Sequence, residues 1–184
     1  MTTTSPPAKV TREEIAALDR AELIRRYEGG SARLNHQILH LDDAALDTFF
    51  TPEAGVGRWS CRALVGHLAD AELVLVHRMR RQVAEDRPVF GLWDEDAFVD
   101  RGVYGTPGKP PFPKVAGFVA TIHTLRLWTA EWLRARPEGD WDRQGLHPER
   151  GPLTLTNQVA IATWHLEHHA WFLDRKVERL GGKG

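Results

Sequence analysis

A chain of 184 residues with ordinary apolar and charged content can bury one core without disulfides and is short for two domains. A formal net charge of −1 with no long basic block excludes a general electrostatic attraction to nucleic acid. No run approaches the roughly 18 apolar residues of a membrane span, and a lone cysteine, Cys61, excludes an internal disulfide framework.

The opening MTTTSPPAKV lacks the apolar stretch of a secretory signal. Together with the cysteine usage, this points to the reducing cytoplasm. Residues 1–10, rich in Thr and Pro, read as a disordered tail, and residues 11–184 as a single domain. The composition departs from average in seven tryptophans and nine histidines.

TREEIAAL near Thr11 has the form of a capping box opening a short helical turn. A first long helical pattern covers about residues 19–40, with Leu23, Tyr27, Leu34, Ile38 and Leu41 on its stripe; Gly29 and Gly30 weaken its middle. A second covers about residues 60–85, with Ser60 as N-cap and Arg87-Pro88 as terminator. Leu64, His67, Leu68, Ala71, Leu75 and Met79 share its apolar face.

Residues 87–113 form a long excursion. DEDAF within it suits one helical turn, and the Gly/Pro-rich 102–113 segment reads as a covering loop over a binding site. A third helical pattern runs over about residues 113–136 on Val115, Phe118, Val119, Ile122, Leu125, Trp128 and Trp132. A polar, turn-rich stretch leads to the fourth, over about residues 154–180, closed by Gly181-Gly182. No β-hairpin or βαβ pattern is visible. The expected fold is all-α: a four-helix bundle with long crossover connections.

Two histidine pairs have the i,i+4 spacing that places both rings on one helix face. His36 and His40 lie off the apolar stripe, beside Arg33 and Gln37, and read as a solvated face. His165 and His169 continue the inward series Ile161, His165, His169, Phe172. Inward imidazoles need partners, and a divalent metal would supply one; core histidines satisfied by hydrogen bonds are the alternative. His67 is the other inward histidine, and as a third ligand it makes a three-His site with an open coordination position.

His168 points to the flank, as a substrate contact or toward solvent. His147, in the HPERG loop before the fourth helix, lies near the mouth of the bundle. Asp70 is three residues beyond His67, close enough to orient a liganding imidazole; a salt bridge to Arg62 or Arg78 is the plain alternative. Asp70, His147 and His168 are therefore the candidates for proton transfer. Glu167 reads as surface. His77 and His123 read as structural or exposed, and Cys61 as a small packing residue at a helix start.

WSCRALVGHLADAE (59–72) and ATWHLEHHAWFL (162–173), supported by AEDRP and GLHPERGPLT, resemble the DinB/YfiT-like superfamily over about residues 20–180. The pairing of WS-x6-HL-x-D-x-E with a late WH-x2-HH is fairly specific. The resemblance implies a four-helix bundle, often dimeric, holding zinc or nickel through one His of the second helix and an H-x3-H pair of the fourth. By position these are His67, His165 and His169. It further implies, for some members, transfer of a low-molecular-weight thiol such as bacillithiol, mycothiol or glutathione.

Three functions follow as expectations. The first is a metal-dependent S-transferase joining such a thiol to a small electrophile. The second is a metal-dependent hydrolase, since a bound ion also acidifies water. The third is a non-enzymatic stress-response binding module. The partner expected is a small molecule, with neither nucleic acid nor membrane.

Overall fold

The computed structural model describes residues 8–110 and 112–181. Seven helices and one small hairpin occur among them: α1 (Arg12–Ala16), α2 (Arg20–Glu28), α3 (Asp43–Leu46), α4 (Cys61–Ala84), α5 (Glu95–Asp100), α6 (Val115–Arg134), β1 (Gln144–His147), β2 (Gly151–Thr154) and α7 (Leu155–Gly181). α2, α4, α6 and α7 form a four-helix bundle. α4 packs against α6 and α7, and α2 packs against the same two. The consecutive helices α2 and α4 thus stand at opposite corners, which is why long crossovers join them. Among the described residues, no helix is long and apolar enough to cross a membrane.

Local chemistry sets the helix starts. Thr11 and Glu14 form the reciprocal capping box expected of their spacing. The Ser60 hydroxyl accepts the Ala63 N–H at 3.2 Å. Thr154 and Asn157 cap the start of α7 reciprocally, each side chain accepting the other's backbone N–H. One apolar cluster is built on Leu64, Val65, Leu68, Ile122, Leu166 and Leu173. The other is built on Leu23, Tyr27, Met79, Leu133, Leu155 and Val159.

The first helical pattern breaks where the glycines stand. α2 ends at Glu28, and 3-10 turns over Gly29–Arg33 and His36–Leu39 replace a continuous helix. The reason is tertiary. A Cβ on Gly30 would sit 2.1 Å from Nη1 of Arg126, so the chain passes close to a buried guanidinium that leaves no room for a side chain.

Arg126 is fully buried and ties together all four bundle helices. It donates through Nε to Glu72 Oε1 of α4 at 2.8 Å, through Nη1 to the Tyr27 carbonyl of α2 at 2.8 Å and through Nη2 to the Ala162 carbonyl of α7 at 2.7 Å. Glu72 also accepts the Tyr27 hydroxyl at 3.0 Å. A buried charge pair of this kind is tolerated because nearly every polar atom has a partner.

Two expectations are corrected. β1 and β2 pair antiparallel, from Gln144 opposite Thr154 to His147 opposite Gly151, where no hairpin was expected. Each strand is four residues long with a weak apolar pattern, so alternation alone does not reveal it. Phe90 N–H donates to the Leu146 carbonyl at 2.9 Å, tying the hairpin to the chain after α4. Glu167 is buried, not superficial, because Arg26 grips its carboxylate through two hydrogen bonds of 2.7 Å. Of the tail expected over 1–10, residues 1–7 lie outside the described residues; the Lys9 ammonium stands 4.4 Å from the ring centre of Phe172.

Candidate metal centre

His67 projects from the second turn of α4 into the seam with α7 and is 3% exposed. His165 and His169, one turn apart on α7, meet it there. Nε2 of His67 is 3.1 Å from Nε2 of His165, and one ring nitrogen from each of the three histidines lies within 4.8 Å of the others. Two nitrogens bound at about 2.0–2.1 Å to one tetrahedral ion stand about 3.3–3.4 Å apart, so the observed approach suits ligation.

Satisfaction of the rings gives a second test. Nδ1 of His67 and Nδ1 of His169 are buried with no hydrogen-bond partner. An orphaned buried polar atom costs about 1–3 kcal/mol, and among the three rings the only mutual hydrogen bond is that between His67 and His165. Burial drives all three imidazoles toward the neutral form: His67 down to about 4, His169 down to about 3, and His165 well below its ordinary value. Each is therefore uncharged at neutral pH with a lone pair available. The donor set fits a divalent ion.

Aromatic rings frame the cluster. Trp59, just before the α4 cap, places its ring centre 4.9 Å from that of His67 and 6.2 Å from that of His169. Its indole N–H donates to Asp96 at 3.2 Å, and its carbonyl accepts the buried Lys176 ammonium at 2.7 Å. Trp93 also packs on His67, with ring centres 5.5 Å apart. A cavity of about 310 Å³ opens beside the triad, walled by Trp93, Trp164, Arg78, His147 and His168.

His147 and His168 thus share this cavity with His67, His165 and His169. His147 is buried, and its Nδ1 accepts the Glu149 N–H at 3.3 Å; Nε2 consequently carries the proton. His168, half-buried against Trp164 at 4.5 Å, is lowered to about 4 by burial and then by Lys9 and Arg12.

Asp70 stands elsewhere. It accepts the Tyr104 hydroxyl at 2.9 Å and does not orient the His67 imidazole, whose Nδ1 has no partner. Nor does it pair with an arginine: Arg62 bonds Asp43 and Asp47, and Arg78 donates to the Gly91 carbonyl. The Gly/Pro-rich segment does not cover the histidines either. Its Tyr104 ring lies over Gly66, where a Cβ would be 2.4 Å away, and the segment borders a separate cavity with Asp47 and Ala63.

His36 and His40 are exposed, as their position off the apolar stripe implied, and so are His77 and His123. Cys61 is fully buried and its thiol is pushed up to about 11 by that burial, which makes it a packing residue. Sequence reasoning missed Trp93 and Arg78 as cavity walls. Trp93 arrives on an irregular segment with no periodicity to mark it. Arg78 continues the face of His67, Ala71 and Val74, a signal hidden by its charge.

Fold and site together define a helical bundle with an open three-histidine centre. The chain belongs to the DinB superfamily, whose family model matches residues 8–173. It is similar to a Bacillus subtilis protein, "Putative metal-dependent hydrolase YfiT", with 27% identity over 172 residues, covering 92% of this chain and 90% of that one. A similarly named Oceanobacillus iheyensis protein is 26% identical over 148 residues, 80% of each chain. The solved structure of Bacillus subtilis YfiT, described as having an unusual four-helix bundle topology, superposes with a TM-score of 0.76 at 23% identity. The match covers 97% of this chain and 94% of that one, and establishes the fold.

Proposed function

We propose that this protein is a metal-dependent enzyme acting on a small molecule at the His67, His165, His169 centre. The observation that carries the reading is the convergence of one buried and two partly buried imidazoles beside an accessible cavity. Three nitrogen donors suit zinc or nickel among the divalent ions, and the names of the bacterial relatives agree with metal dependence. An ion held by neutral ligands keeps its full charge and lowers the pKa of a thiol or water bound at its open position.

The finer reading is transfer of a low-molecular-weight thiol to an electrophile, the activity that family resemblance implies for some members. Among the described residues no acid hydrogen-bonds the triad; Asp96, bonded to Trp59, acts on His67 only through its field. Trp59 and Trp93 pack against the His67 ring and hold it in place. His147, with its proton on Nε2, can donate a hydrogen bond to a leaving group or to the substrate, and His168 lines the same cavity as a second polar group. A cavity of about 310 Å³ suits a small molecule. Cytoplasmic residence and pairing of two copies remain part of the proposal.

Hydrolysis is the second reading, favoured by the names of the relatives. One experiment separates the two. Metal-loaded protein is incubated with aryl esters and with chloro-dinitrobenzene, each with and without bacillithiol, mycothiol or glutathione. Thiol-dependent loss of the electrophile supports transfer, thiol-independent ester cleavage supports hydrolysis, and inactivity in every arm contradicts both.

A further inference from the structure

The cavity wall beyond His67, His165 and His169 carries arginines that have no ion pair among the described residues. Arg78 lies on α4, partly buried, on the face that carries His67, Ala71 and Val74. Its Nη2 donates to the Gly91 carbonyl at 2.6 Å, and its guanidinium lies 5.5 Å from the ring centre of Phe90. Among the described residues it has no ion pair, unlike Arg20, Arg26, Arg58, Arg62 and Arg126, all of which hold carboxylates.

Arg150, at the tip of the hairpin, lines the same cavity and is likewise unpaired. His147 stands on the same wall with a protonated Nε2. The acids that reach the cavity, Glu95 and Glu149, are exposed, and neither pairs with Arg78 or Arg150; Glu95 accepts the Trp93 indole N–H instead. Taking a guanidinium partly out of water without an anion is unfavourable, and its flat fork matches a carboxylate or phosphate in two-point contact.

We infer that Arg78, with Arg150 and the Nε2–H of His147, forms a subsite for the anionic group of the substrate, so that the molecule acted on carries a carboxylate or phosphate. Gly91 is bonded to Arg78, and Trp93, two residues on, packs on His67, so one short segment joins the arginine to the histidine centre. Long helical side chains lean toward the helix N-terminus, which tips Arg78 toward His67. This rests on the cavity being the substrate site proposed above and adds the substrate's charge.

The test uses chelator-treated full-length protein, so that its outcome is independent of metal binding and turnover. Calorimetric titrations with succinate and with inorganic phosphate, against a chloride control, are run on wild type, Arg78→Gln, Arg78→Lys and Arg150→Gln. The expected result is saturable binding of at least one probe, weakened about tenfold or more by Arg78→Gln, several-fold by Arg150→Gln and least by Arg78→Lys, with helical content unchanged. Preference for succinate or for phosphate identifies the source of the anion. Equal affinity in wild type and Arg78→Gln, or no saturable heat beyond chloride in wild type, overturns the assignment. Arg78→Lys covers the case in which Arg78→Gln loses its fold.

Discussion

Nε2 of His67 on α4 faces Nε2 of His165 on α7 at 3.1 Å, across the seam between two helices that meet only through the fold. Nearly a hundred residues of chain separate them, and neither ring has a carboxylate to orient it. Two ring nitrogens this close can share one proton as a hydrogen bond or, both deprotonated, hold one ion with the third imidazole alongside.

The burial of these rings predicts acid sensitivity of the metal-free protein. An exposed histidine titrates near 6.5, whereas in the fold His67 is lowered to about 4 and His169 to about 3, burial being the first cause for both. Between these values the unfolded chain binds protons that the folded chain refuses, so stability falls as pH falls. Thermal unfolding of chelator-treated protein, followed by circular dichroism, is expected to show a melting temperature that declines steadily from pH 7 toward pH 4. His169→Ala should flatten that slope. A melting temperature unchanged between pH 7 and pH 5 contradicts the burial.

The Arg126–Glu72 pair predicts a structural effect at a site without chemistry. Glu72→Gln leaves a buried guanidinium without its counter-charge and is expected to cost about 3–5 kcal/mol in denaturant unfolding. Gly30→Ala drives a methyl into Arg126 and is expected to cost about 1–3 kcal/mol. A loss below about 1 kcal/mol for Glu72→Gln would show that the four helices do not depend on this junction.

Asp70 provides a contrast. Because it serves Tyr104 and not an imidazole, Asp70→Ala and Tyr104→Phe should each lower stability by about 1–3 kcal/mol while leaving metal content at the wild-type level. Elemental analysis of both variants checks this. Loss of metal in Asp70→Ala would return Asp70 to the role its sequence position suggested.

How much of this was legible in the sequence follows from which signals are local. α4 and α7 were readable because Ser60, Pro88 and Gly181 bound them and because Ile161, His165, His169 and Phe172 repeat at helical spacing. The same periodicity selected His67, His165 and His169 and set aside His36 and His40. Long-range contacts were not readable. Gly30 yields to Arg126, almost a hundred residues away, and Glu167 is buried by Arg26 from the opposite end of the chain. The cavity wall of Trp93 and Arg78 exists only because the segment after α4 folds back along it.

The central claim is tested most directly by elemental analysis of untagged protein, wild type beside His67→Ala, His165→Ala and His169→Ala, with circular dichroism on each. The account predicts near-stoichiometric divalent metal in the wild type, loss of it in all three variants, and retained helical content. Wild-type protein that binds no metal even after reloading, or variants that keep theirs, would contradict it.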